Sequence, residues 1–446
     1  FNMGYNGTEN FAKGKRFGFF PAVSLGWVIS EEKFFPKNNI VKYLKVRGSY
    51  GEVGNDQIGG DRFLYLPSSY GAASDSGVNK YNFGLASNPY TSLMIVENKI
   101  GNPDLTWEKA KKMNVGVDIN LFNNCLTASF DIFKEKRNNI LANRSTSPMI
   151  IGANLPAYNF GEMENRGWEM DLNFRHHIQD FHYWARFNYS FARNEIIYMD
   201  EVQKRYDYQM TTGRRKNQFF GLIFDGYYNS WEEINALDRP KSSWSGNQLQ
   251  PGDVKYIDVN QDGVIDDYDM VPIGYTPVPE IIYGFSFGAQ YKGFDFSILF
   301  QGADNVSIKY FGRSMWPFAK GEESAKSLIK ERWTQERYEA GEKITFPRLS
   351  LNPNGETDHN YRPSTLWIRD ASYLRLKNLE VGYTFTGGFV KRLNLNSVRL
   401  YFNGSNLFTW TDVVDLDPEA PSRSGNVEIN TYPLQKVYNI GLNINF

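Results

Sequence analysis

Near the end of the chain, apolar side chains fall on even positions: Leu434, Tyr438, Ile440, Leu442, Ile444 and Phe446. Gln435, Asn439, Gly441, Asn443 and Asn445 take the odd ones. Only a β-strand sends alternate side chains to opposite faces, so this segment has one apolar face and one of amides and glycine. An asparagine-rich face opposite an oily one suits a wall between hydrocarbon and water.

The pattern repeats. Tyr283, Phe285, Phe287, Ala289 and Tyr291 alternate with Gly284, Ser286, Gly288 and Gln290. After Lys292 and Gly293, Phe294, Phe296, Ile298 and Phe300 alternate with Asp295, Ser297 and Gln301, with Leu299 a mild break. Period two predicts twelve strands: 1–6, 17–30, 42–52, 106–122, 126–141, 160–175, 182–196, 281–291, 294–304, 369–386, 397–409 and 434–446. The connections 31–41, 123–125, 176–181, 292–293 and 387–396 are short, whereas 53–105, 142–159, 197–280, 305–368 and 410–433 are longer; 7–16 is the exception. Short turns on one side and long loops on the other are the habit of an outer-membrane barrel.

Placing the short turns in the periplasm puts Trp27, Phe181, Tyr291, Phe294 and Phe446 near inner strand ends and Phe408 and Trp410 near an outer one. Amphipathic rings are most stable at such interfaces. The expected fold is therefore an all-β, antiparallel transmembrane β-barrel in the cell outer membrane. A soluble sandwich or propeller would leave the unequal loops unexplained.

Composition agrees. No run approaches the roughly 18 apolar residues of a spanning helix, yet 16% of the chain is aromatic and 39 residues are glycine. The 49 basic and 50 acidic residues balance without a like-charge block, which disfavours nucleic-acid binding. Cys125 stands alone, with no partner for a disulfide or metal cluster. Phe1 stands where an initiator Met would, and no charged n-region, apolar h-region or cleavage site follows it, so either a processing point or a cut within a longer protein is expected there.

Six stretches carry a resemblance: "YLKVRGSYGEVGND" (43–56), "NPDLTWEKAKKMNVGVDINLFNNCLTASFDIF" (102–133), "NFGEMENRGWEMDLNF" (159–174), "PGDVKYIDVNQDGVIDDYDMVPIG" (251–274), "YGFSFGAQYKGFDFSILFQG" (283–302) and the terminal "LNINF". In sequence and order they resemble the C-terminal half of the SusC/RagA family of TonB-dependent outer-membrane transporters. The resemblance implies a 22-stranded barrel with an N-terminal plug, a SusD-like surface lipoprotein as partner, and energy supplied through TonB–ExbB–ExbD. Residues 1–446 would then be the C-terminal part of the barrel with its long extracellular loops, the plug and remaining strands lying outside this chain. It further implies import of oligosaccharides or oligopeptides. A barrel that only anchors a structural or adhesive surface assembly is the alternative, and an outer-membrane enzyme the third reading.

Asp258, Asn260 and Asp262 stand at loop positions one, three and five, Gly263 at the sharp turn, Val264 where its carbonyl would point inward and Asp269 at position twelve. Such oxygens suit a structural Ca²⁺ in an extracellular loop, although an EF-hand would have Glu at twelve and flanking helices. A turn held by Asp and Asn bonding to nearby amides is the other reading. No catalytic motif is present. His176, His177, His182 and His359 make no HExxH pair, and neither GxSxG nor a phosphate-binding GxxxxGK[ST] occurs. Tyr206, Tyr208, Trp231, Trp244, Trp316 and Trp333 lie in long loops, where they suit stacking on a ligand, loop packing or docking of a lipoprotein. The basic run at 213–216 reads as a solvated loop.

Overall fold

The structure is a computed structural model of the chain. It describes all residues except 58–61, 67–70, 73–79, 86–89, 94, 97–99, 147–154, 245–248, 311–315, 319–326, 351–357, 420–425 and 428–432.

One twelve-stranded sheet forms the wall: β1 (Asn2–Gly7), β2 (Phe17–Val28), β3 (Val41–Asn55), β4 (Glu108–Leu121), β5 (Leu126–Ala142), β6 (Tyr158–Ile178), β7 (Phe181–Tyr198), β8 (Ile281–Tyr291), β9 (Phe294–Asp304), β10 (Tyr373–Phe385), β11 (Ser397–Thr411) and β12 (Val437–Asn445). Each strand pairs antiparallel with its neighbours in sequence, and among the described residues β1 and β12 pair with only one strand each.

Register confirms the two-faced pattern. Leu25, Gly48, Val115, Ile132, Trp168 and Phe191 are direct neighbours across β2 to β7. At the inner rim Phe181, Tyr291, Phe294 and Tyr383 form an aromatic row, with ring centroids 6.1 Å apart for Phe181 and Tyr291 and 5.3 Å for Phe294 and Tyr383. The opposite face carries Arg47, Asp118, Asp131, Asp295, Glu380 and Arg399, and the Asn439 amide donates to Asn403 at 2.9 Å. Large rings there use glycine gaps. A Cβ on Gly288 would lie 2.4 Å from the Trp184 ring, so only glycine leaves that ring its place.

Expectation and structure differ at three points. The expected strand 369–386 is divided: Ile368–Asp370 pairs with Ser307–Tyr310 outside the wall, and β10 starts after buried Ala371, whose amide bonds to Val306. The 176–181 turn shrinks to Gln179 and Asp180, since β6 and β7 run on to meet them and Gln179 takes the left-handed φ of 53° that a tight turn needs. The 7–16 connection lies on the long-loop side, where Phe11 packs with Phe20, Leu105 and Trp107.

Above the wall, the connections after β7, β9 and β11 fold together as a crown. Its core includes Leu222, Val254, Ile265, Ile308, Phe346 and Trp367. Short pairings knit it: Phe224–Tyr227 with Val254–Tyr256, Lys241–Ser242 parallel to Val264–Ile265, and Ser307–Tyr310 with Ile368–Asp370 and Asn426–Val427. The paired segments range from Lys241 with Val264 to Lys309 with Asn426, and none is joined by a tight turn, so the crown is held by long-range packing rather than by local hairpins.

Candidate functional site

The polar face of the wall is the candidate pathway, and its charges are organised into closed clusters. Near the inner rim Arg47 donates to Asp131 at 2.6 Å through both terminal nitrogens and to Asp118 at 3.1 Å, while Ser129 donates to Asp118 at 2.9 Å. A second cluster has Arg399 donating to Asp295 at 2.8 Å and to Glu380 at 2.6 Å. It borders a cavity of about 200 Å³ also lined by His182, Trp184 and Gln290. Sequence reasoning assigned no role to these residues. Their signal was present, however: Arg47, Asp118, Asp131, Asp295, Glu380 and Arg399 are charges at the polar-face parity of otherwise alternating strands.

At the outer end a larger cavity of about 320 Å³ lies between the wall and the crown, lined by Glu135, Arg137, Asn165, Asn194, Arg215 and Glu280 among others. The basic run 213–216 is not a free loop, because Gly213 and Arg214 exchange 2.8 Å backbone bonds with Ile196 and Lys216 N donates to Asn194. Arg215 and Arg193 both donate to buried Glu280. Burial alone would raise the Glu280 carboxyl, but the two guanidiniums prevail and hold it below the usual range.

The last loop is fixed to the wall in the same manner. Arg375, almost wholly buried, donates to Asp417 at 2.6 Å, and Tyr373 donates to Glu419 at 2.7 Å. Burial opposes the charge on Asp417, yet Arg375 and backbone amides bring its carboxyl below the ordinary value.

His359 joins two crown loops. Its Nε2 lies 2.8 Å from the Val254 carbonyl and must donate, leaving Nδ1 to accept from Ser242 at 3.0 Å. Burial pushes the imidazole below its usual value. His176, His177 and His182 are exposed at the inner turn, with the His177 and His182 rings 5.5 Å apart.

The Asp258 loop is well ordered by its own side chains. Asp258 accepts from Gln261 N at 2.7 Å and Gly263 N at 2.8 Å, Asn260 from Asp262 N at 3.0 Å and Asp262 from Val264 N at 2.9 Å. The Asn260 amide also donates to Asp262 at 3.0 Å. Asp269 turns into the crown, fully buried, and accepts from the amides of Val259, Asn260 and Asp266. Burial raises its carboxyl above the usual range against the pull of those amides. Among the described residues no group of three or more His, Cys, Asp or Glu is disposed to hold a metal.

The loop aromatics divide. Trp316 and Trp333 are buried in the crown core and Trp244 packs against it under Arg362, so these serve loop packing. Trp231 remains 48% exposed. Tyr206 and Tyr208 stack with centroids 5.1 Å apart beside Tyr268, above the Asp258 loop.

A sheet with a lipid-compatible face, a charged inner face, aromatic rims and loops folded over one end defines the wall of an outer-membrane β-barrel. A family model described as TonB dependent receptor-like, beta-barrel matches residues 2–407, and the chain belongs to that family. It is 27% identical over 452 residues to the TonB-dependent receptor SusC of Bacteroides thetaiotaomicron, covering 100% of this chain and 42% of that protein. It is 28% identical over 460 residues to TonB-dependent receptor P3 of Formosa agariphila, covering 99% and 43%. Among solved structures, the RagAB peptide importer in its closed-closed state superposes with a TM-score of 0.72 at 23% identity, over 100% of this chain and 45% of that one. These agree with the SusC/RagA resemblance of the motifs. The chain thus spans less than half the length of the proteins it matches.

Proposed function

We propose that this chain forms part of the wall and outer mouth of a TonB-dependent importer of oligosaccharides or oligopeptides. A SusD-like surface lipoprotein closes over the crown, and TonB–ExbB–ExbD acts on a plug carried elsewhere in the whole protein. The observation that carries the reading is a polar inner face with a cavity lined by charged side chains between wall and crown at its outer end and the Arg47 and Arg399 clusters toward its inner one. The two unshared sheet edges support the presence of further strands, since unpaired backbone groups in lipid cost several kcal/mol each. None of this requires covalent chemistry.

The test uses the whole protein in its native membrane. Cells lacking it should lose growth on an oligosaccharide or oligopeptide mixture as sole nutrient, and removal of TonB should give the same loss. A surface lipoprotein should co-purify with it. Undiminished uptake, with adhesion impaired instead, would favour the anchoring role.

For the Asp258 loop we propose a structural Ca²⁺ held by Asp258, Asn260, Asp262, the Val264 carbonyl and Asp269. The support is the one, three, five, seven and twelve spacing of the oxygen-bearing residues around the turn at Gly263. Calorimetric titration of the full-length protein with Ca²⁺ should show binding that Asp258→Asn with Asp262→Asn abolishes. Absence of heat, with protease resistance of the loop unchanged by chelator, would leave the Asx turn alone.

A further inference from the structure

Leu379, Val381 and Tyr383 carry the apolar face of β10, so an unbroken strand would aim Tyr373 and Arg375, which share their odd parity, at lipid. The pairing does not run unbroken. Register slips at Lys377, between Leu376 and Asn378, against both β9 and β11. This bulge reverses the parity above it, and Arg375 lies opposite Gln301, on the face of β9 that also carries Asp295 and Ser297. A bulge re-aims side chains in this way. Here it turns a phenol and a guanidinium from the hydrocarbon to the polar face, at the outer end of the wall.

The donors converge on one short stretch of the last loop. Arg375 donates to Asp417 at 2.6 Å through Nη2, and its Nη1 stands 3.3 Å from Glu419. Tyr373 and Lys377 donate to the same Glu419 carboxylate at 2.7 and 3.0 Å. Asp417 also accepts from the amides of Glu419 and Leu434, so it ties two points of the loop together. The match is nevertheless incomplete: Arg375 is 2% exposed, yet its Nε has no acceptor among the described residues. Lys377 is 28% exposed, so solvent reaches one edge of the cluster. A guanidinium this deeply buried cannot be left bare, because an uncompensated charge out of water is strongly destabilising. Asp417 and Glu419 can therefore leave it only when another anion takes their place.

We propose that Tyr373, Arg375 and Lys377 form an anion-binding site beside the outer mouth that takes side-chain carboxylates of the cargo, and that Asp417 and Glu419 are its built-in competitor. Guanidinium, ammonium and phenol donors aimed at one point suit a carboxylate, which accepts several charge-assisted bonds at once. The site rests on the importer reading only in that cargo must pass it. Its effect is selective, since an uncharged ligand cannot replace the loop carboxylates and leaves the contact closed.

The test titrates the full-length protein, purified in detergent, with C-terminally amidated triglutamate and triglutamine, which differ only in side-chain charge. Joint substitution Asp417→Asn and Glu419→Gln should tighten triglutamate binding by roughly tenfold, within the range usual for coupled sites, and leave triglutamine unchanged. Adding Arg375→Gln and Lys377→Gln should remove the gain. In the wild-type protein triglutamate should speed amide exchange at Glu419 and Leu434, whose N–H groups bond to Asp417, and triglutamine should not. Equal triglutamate affinity with and without the loop carboxylates would overturn the proposal, as would a gain that survives loss of Arg375 and Lys377. Unchanged exchange at Leu434 under triglutamate would overturn it without any variant having to assemble. Binding is read here without transport, so cells that lose growth when the protein is removed keep the importer reading even if this site fails.

Discussion

The wall and the crown bury apolar side chains by opposite rules. In the wall Leu25 and Ile440 are 78% and 80% exposed, although they sit in regular strands. In the crown Leu222 and Val254 are 0% exposed, although Leu222 makes only an isolated bridge to Ser364 and Val254 sits in a strand of three residues. Lipid replaces the missing neighbours of the first pair, so the wall needs only the right parity. Water surrounds the crown, so it must supply its own apolar interior. The regular part of the molecule is therefore tolerant in packing detail, and the irregular part is not.

The sharpest way to break this contrast is a cavity in the crown. Trp367 is 1% exposed, lies 5.3 Å from Tyr361 and 5.4 Å from Phe346 by ring centroid, and donates to Asn360 O at 2.8 Å. Trp367→Ala is expected to cost about 3–5 kcal/mol locally. The crown should become protease-sensitive while the wall keeps its heat-modifiable migration in gels. Equal loss of both would show that the two regions fold as one unit.

The converse substitution tests parity. Ile132→Arg puts a charge on the lipid face one step below Lys134 and should cost about 2–4 kcal/mol at most, less near the interface. Phe133→Arg, one residue along, faces the charged side and should be better tolerated in folding assays in bilayers. A reversal of that order would mean that the two faces have been assigned the wrong way round.

This parity also explains what could be read from the amino-acid order. Hydrocarbon on one side and water on the other force alternation on every strand, so all twelve wall strands were legible to within a few residues. The crown was not. Its contacts join residues such as Tyr310 and Val414, which exchange bonds of 3.2 and 2.8 Å across 104 positions, and no local period encodes that. Ile368–Asp370 reads as a continuation of β10 because its composition is strand-like, and only its partner strand reveals that it belongs to the crown. Trp316 and Trp333 illustrate the same limit: an aromatic in a long loop suits a ligand or a core equally until the loop's packing is known. In the pathway, the Arg47 and Arg399 clusters were visible as charges, but which carboxylates they gather depends on register.

Acidity offers a gentler separation of the two regions. Burial lowers the His359 imidazole from its usual 6.5, so the folded crown favours the neutral ring more than the unfolded chain does. The linked stability is fully present above pH about 6.5 and is lost as pH falls through the lower folded value. Protection against hydrogen exchange in the Val254 and Ser242 segments, relative to the intrinsic rate at each pH, should therefore fall below that pH while that of β5 and β6 is kept. His359→Gln should flatten the dependence. A crown equally protected at acid pH would remove His359 as its clamp.

The smallest expected effect lies in the Asp258 loop. Gly263 has a φ of +81° with open space where a Cβ would project, so Gly263→Ala meets backbone strain and no clash. The cost should be about 1–2 kcal/mol, confined to the loop. Because Gly263 N also bonds to Asp258 at 2.8 Å, the strain should appear first as faster amide exchange at Gln261 and position 263. With Ca²⁺ present the difference should narrow if the ion fixes the turn, since binding to the folded loop adds stability by mass action. If exchange in the variant is the same with Ca²⁺ and with chelator, side-chain bonds alone hold the turn, and the crown gains nothing there from a cation.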